Sequence, residues 1–146
     1  MENHNLELLN AIYKNVTMAT HAIDSIHNKI ADRKLTKLID KQNKIYERIT
    51  AECENLAGHI NEDLTAINPI AKMTSSVSIN MKTMINDETS HLADMLIQGT
   101  TMGITEIIKA VGEFRTASSE IKNVATELQH AEEEFVDSLK TFLTKK

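Results

Sequence analysis

Apolar residues recur along this chain at alternating steps of three and four. Leu9, Ile12, Val16, Ala19, Ile23, Ile26 and Ile30 form one such line, and Phe114, Ala117, Ile121, Val124, Leu128, Ala131 and Phe135 form another. This spacing turns a single stripe of an α-helix toward a partner, as in coiled-coil-like packing. A third line, Leu35, Leu38, Ile45, Ile49 and Leu56, keeps the same frame, with Gln42 and Glu52 standing in it and Ile39, Tyr46 and Cys53 beside it. A carboxylate in such a seam needs a partner or a wet edge, because a charge cannot stay dry alone. Tyr13, roughly level on the first helix, is the partner this frame predicts for Glu52. The fourth segment is apolar on more than one side: Leu92, Met95, Leu96, Gly99, Met102 and Gly103 on one, with Ile97, Ile104, Ile107, Ile108 and Val111 around it. So little polar surface predicts cover from outside the four-helix core, by the connecting segment or a second subunit.

Punctuation divides the chain. Asp32 is a suitable N-cap for a helix starting at Arg33, so the first two helices are joined by a few residues and must be antiparallel neighbours. The last two meet in the same way around Gly112 and Thr116. Between them, Asn68 and Pro69 read as an N-cap followed by proline at the first helical position, and Ile70, Met73, Val77, Met81 and Met84 then share a face. A single helix from Pro69 to Gly112 would be about 65 Å long, against about 40 Å for the others. A break near Asn86 and Asp87 removes that mismatch. The expected elements are helices over 5–31, 33–60, 69–85, 87–112 and 116–144, all in one domain spanning 1–146. Gly99 and Gly103, one turn apart within a helix, each cost about 1 kcal/mol relative to alanine. They mark the helix-three face as a place of close approach, and a candidate surface for a protein partner.

Composition narrows the class. A chain of 146 residues can bury about two-thirds of its unfolded surface in one core, so it needs no disulfide or structural metal to fold. The single cysteine, Cys53, has no basic neighbours and reads as a small buried hydrophobe. A formal charge of −5 with interspersed signs argues against a nucleic-acid footprint, and Lys34, Lys37, Lys41 and Lys44 read as a solvated helix face. No apolar run of about twenty residues and no basic-then-apolar leader is present, so neither a membrane span nor a signal peptide is expected. The expected location is the cytoplasm.

Two short helix hairpins joined by a long connection resemble the ferritin-like superfamily. The stretch 90–103 (SHLADMLIQGTTMG) is similar to a segment of small ferritin-like bacterial proteins of unknown function. The resemblance implies an all-α, antiparallel four-helix bundle with a long crossover, here containing a short extra helix between helices two and three. In active members it also implies a di-iron or di-manganese site with two Glu-x-x-His pairs. The chain has two such pairs, Glu88 with His91 and Glu127 with His130. Register works against them, since Glu127 lies at the edge of the Val124–Leu128 seam and His130 points away. The two pairs also stand about 20 Å apart along the bundle axis, where metals of one site should be about 4 Å apart. Helix one offers only an aliphatic seam where the superfamily has a glutamate. His4 and His59, with Glu62 and Asp63 near one bundle end, are the other metal candidates. His21, Asp24 and His27 read as a solvated face.

Histidine phosphotransfer domains resemble one another around an exposed histidine followed by a lysine three positions on and a glycine four positions on. His91 is followed instead by Asp94 and Met95, which places a negative charge where a phosphoryl group needs a positive one. No P-loop, nucleophile elbow, CxxC or dinucleotide fingerprint occurs. The sequence therefore reads as a non-catalytic ferritin-like bundle, a structural or interaction module working as a homodimer, with no cofactor expected. The alternative is a divergent protein that binds iron, manganese or zinc through non-standard ligands.

Overall fold

The computed structural model describes residues 4–59 and 88–144. Within them are four α-helices and no strand: α1 (His4–Ile26), α2 (Arg33–His59), α3 (Thr89–Glu113) and α4 (Ser119–Lys140). The helix expected over 69–85 lies outside the described residues. So do Glu62 and Asp63.

The turns form for identifiable reasons. α1 tightens into a 3-10 turn at His27–Lys29, and Ile30 is extended. Asp32 then caps α2 as expected, its Oδ1 accepting the Leu35 N–H at 2.9 Å. At the second turn the cap of α4 is Ser118, whose Oγ accepts from the Ile121 N–H at 3.4 Å. Helix four thus begins at Ser119 rather than at 116.

Side-chain contacts fix the directions. His27 on the first turn meets Asp40 of α2 at 3.3 Å, so α1 and α2 are antiparallel from that end. At the other end the start of α1 is clipped to the α3–α4 turn. Asn5 Oδ1 accepts the Ser118 N–H at 2.7 Å, the His4 ring accepts from Thr116, and that ring sits edge-on to Phe114 at a centroid distance of 5.6 Å. α3 therefore runs antiparallel to α1 and parallel to α2, and α2 ends at the opposite end of the bundle from the start of α3. Around the bundle the order is α1, α2, α4, α3, with α1 and α4 also touching across the short diagonal.

The core follows two of the four expected seams closely. Leu9, Ile12, Val16, Ile23 and Ile26 of α1 are buried, as are Ala117, Ile121, Val124, Leu128 and Phe135 at and along α4. Helix two keeps Leu35, Gln42 and Ile49 of the expected frame and moves on by one residue at the other four positions. Its buried line is Leu35, Ile39, Gln42, Tyr46, Ile49, Cys53 and Ala57, while Leu38, Ile45 and Leu56 only flank the core. Cys53 fills the position expected for Glu52, and burial pushes its thiol up to about 12, with the charges of Glu52 and Glu54 adding to the effect. On α3 the inward line is Leu92, Ala93, Leu96, Thr100, Ile107 and Ala110. Gly99 is exposed, and Met102 and Ile108 are 63% and 48% exposed, so the pairing of Gly99 with Gly103 on one packed face is not what forms. Lys34, Lys37, Lys41 and Lys44 are all exposed.

Candidate functional site

A polar cluster occupies the middle of this core. On α4, Leu128, Glu132, Phe135 and Leu139 are spaced by four, three and four, so Glu132 shares the buried stripe with its apolar neighbours. It is 1% exposed, the only buried charged residue among the described residues. Two donors from other helices receive its carboxylate. Asn15 Nδ2 of α1 donates to Oε1 at 3.0 Å, and the Tyr46 phenol of α2 donates to Oε2 at 3.0 Å. The same Asn15 Nδ2 also donates to the Gly103 carbonyl of α3 at 3.0 Å, so one amide ties three helices together.

Gly103 makes room for this arrangement. A Cβ there would lie 3.0 Å from Asn15 Nδ2 and 3.4 Å from each carboxylate oxygen of Glu132. Behind Tyr46 sits Gln42, also buried. One atom of the cluster, Asn15 Oδ1, is buried with no hydrogen-bond partner. The electrostatics follow from burial without a cation. Desolvation pushes the Glu132 carboxyl up to about 7, and the hydrogen bonds from Asn15 and Tyr46 pull it part of the way back. Desolvation first, and the Glu132 charge second, hold the Tyr46 phenol well above its ordinary value.

The residues singled out in the sequence as metal candidates do not come together. Glu88 is exposed just ahead of α3, His91 is half-buried, and His130 is exposed on the outside of α4. Glu127 faces α2, where Arg48 meets it at 2.6 Å. His4 is engaged by Thr116 and Phe114, and His59 Nδ1 contacts the Asn55 carbonyl oxygen at 2.8 Å within its own helix. Among the described residues no three His, Cys, Asp or Glu side chains stand close enough to hold a metal ion. The donor set of a carboxylate-bridged metal pair does not fit this interior. Among the described residues the one buried carboxylate already accepts an amide N–H and a phenol O–H, and no histidine stands with it.

A groove between α2 and α4 carries the second polar feature. Glu52 and Glu127 line it together with Asn55, Glu120 and Asn123. Tyr13 is not the partner of Glu52: its Oε2 is buried with no hydrogen-bond partner. An orphaned acceptor is costly, and an apolar replacement removes the cost while extending the flank formed by Leu56. Glu52→Leu is therefore expected to stabilise the fold by about 1 kcal/mol, read as a rise of roughly 2–4 °C in the thermal midpoint.

Asn15, Glu132 and the inward role of Tyr46 were not evident from the sequence, although two signals pointed toward them. Gln42, like Glu52, stood in a seam of apolar residues, and a mid-helix glycine at 103 needed a reason. Compared with family models, curated proteins and solved structures, the chain matches none of them.

Proposed function

We propose that this chain is a ferritin-like four-helix bundle acting as a structural or interaction module, in which the Asn15–Glu132–Tyr46 cluster stands where the superfamily's active members carry metal ligands. The observation that carries this reading is the interior carboxylate bonded to an amide and a phenol rather than to histidines and further carboxylates. Helix direction supports the ferritin-like part. Two antiparallel hairpins whose inner helices, α2 and α3, run parallel need one connection spanning the bundle, as a single long crossover does.

Interaction is the role that the surface favours. Met102 leaves an apolar side chain open on α3, three residues from a glycine at position 99 whose Cβ would meet nothing within 4 Å. The Gly99–Met102 side of α3 is the proposed homodimer surface, while Gly103 belongs to the cluster instead. No membrane partner is part of this reading, and no described helix is long and apolar enough to cross a bilayer.

Two measurements test it. Protein purified without a histidine tag is expected to carry far less than one iron, manganese or zinc ion per chain by mass spectrometry. One ion or more per chain would overturn the reading in favour of the divergent metal-binding alternative. Sedimentation is expected to give a dimer, reduced to monomer by Met102→Glu. A monomeric wild type would remove the dimer from the proposal.

A further inference from the structure

The polar groups around the Glu132 carboxylate come from all three of the other helices. α1 supplies the Asn15 amide, α2 the Tyr46 phenol with Gln42 behind it, and α3 the Gly103 carbonyl, bridged through Asn15. Tyr46 is the only one of these that titrates, and its raised phenol stays protonated through the neutral range. None of them is a cation. On α4 itself Glu133 and Glu134 are exposed, and Arg48 of α2 is engaged by Glu127.

We propose that this cluster is a pH-responsive clasp: neutral Glu132 holds α4 tightly against α1, α2 and α3, and ionised Glu132 loosens it. The proton balance is simple. Closing binds one proton from solvent at the carboxyl, and opening returns it. In the ionised state the carboxylate has two donors and no counter-charge, so its free energy falls whenever the α4 contact opens and water reaches it. In the neutral state that penalty is gone, and the carboxyl has an O–H to give. The Tyr46 phenol oxygen, 3.0 Å from Oε2, is the acceptor on hand, and its use leaves both Asn15 Nδ2 bonds in place.

The direction follows from linkage. The carboxyl lies at about 7 in the closed bundle, above the ordinary 4.5, so the closed state binds more protons between those values. The stabilising contribution of Glu132 is fully present below pH 4.5, is lost as pH rises to about 7, and changes little beyond. Acidification tightens the bundle and alkalinity loosens it. The clasp rests on these contacts alone and stands whether or not the ferritin-like reading does.

Two experiments decide it. Carboxyl carbon NMR of the wild-type chain should show Glu132 titrating with a midpoint near 7. Hydrogen exchange of α4 amides around Leu128 and Phe135, corrected for intrinsic exchange, should show the opening constant rising about a hundredfold from pH 5 to pH 8. The same constant should stay level in Glu132→Gln. A carboxyl midpoint near 4.5, or the same rise in wild type and Glu132→Gln, overturns the clasp. Should Glu132→Gln not fold, the wild-type titration decides alone, since it needs no variant.

Discussion

Replacing Tyr46 with alanine is expected to cost about 3–5 kcal/mol of folding free energy. Tyr46 is the largest fully buried side chain, so truncation opens a cavity at the centre of α2, and neighbours held by helix geometry collapse into it only in part. It also takes the phenol donor from Glu132 Oε2. Against a typical total of about 5–15 kcal/mol, that loss leaves a substantial unfolded population on mild heating. Tyr46→Phe separates the two contributions, because it keeps the ring and deletes only the O–H. At pH 5.5, where Glu132 is mostly neutral, the loss should be about 1 kcal/mol, the ordinary worth of a hydrogen bond between neutral groups. At pH 8 the partner is a carboxylate, and the loss should rise to about 2–3 kcal/mol. Urea denaturation at the two pH values measures both, and equal losses would mean that Glu132 keeps one charge state throughout.

Gly99→Ala and Gly103→Ala are expected to move stability in opposite directions although the glycines lie one helical turn apart. Both gain the helix propensity of alanine, about 1 kcal/mol. At position 99 nothing stands within 4 Å of the new methyl, so the gain survives and the thermal midpoint rises. At position 103 the methyl arrives 3.0 Å from Asn15 Nδ2. That nitrogen ends a side chain pinned by two hydrogen bonds, so it cannot swing aside without giving up one of them. Overpacking of about 1–3 kcal/mol, together with a lost hydrogen bond to a buried carboxylate, exceeds the propensity gain, and the midpoint falls. A stabilised Gly103→Ala chain would show that Asn15 yields freely and that the cluster is looser than its distances imply.

The helices and their directions were legible because periodicity and caps are local properties. Asp32 was readable as a cap from three neighbouring residues, and the seams of α1 and α4 from apolar residues alone. The frame of α2 was not, because apolar residues run alongside its stripe one position earlier: Leu38 against Ile39, Ile45 against Tyr46, Leu56 against Ala57. What settles it is polar. Tyr46 turns inward to a carboxylate 86 residues away in sequence, which no local pattern contains. Glu132 was hidden for the same reason. It opens a run of three glutamates, and such a run reads as solvated surface until two donors and an absent Cβ, each on a different helix, are brought to one of them. For Glu127 and His130 the sequence misleads in the opposite sense. The spacing of Glu127 and His130 is a one-dimensional match, and rotation about the helix axis sends one toward Arg48 and the other into solvent.

The hydrogen bond between Tyr46 and Glu132 gives the molecule an optical signal of its own. The chain has no tryptophan and two tyrosines, and Tyr13 is only half-buried, so ultraviolet emission comes from two phenols in contrasting surroundings. A carboxylate accepting a proton from an excited phenol quenches it, whereas a neutral carboxyl does so far less. The brightness of unlabelled protein therefore follows the charge at the centre of the bundle, and subtracting the Tyr46→Phe spectrum isolates that one ring.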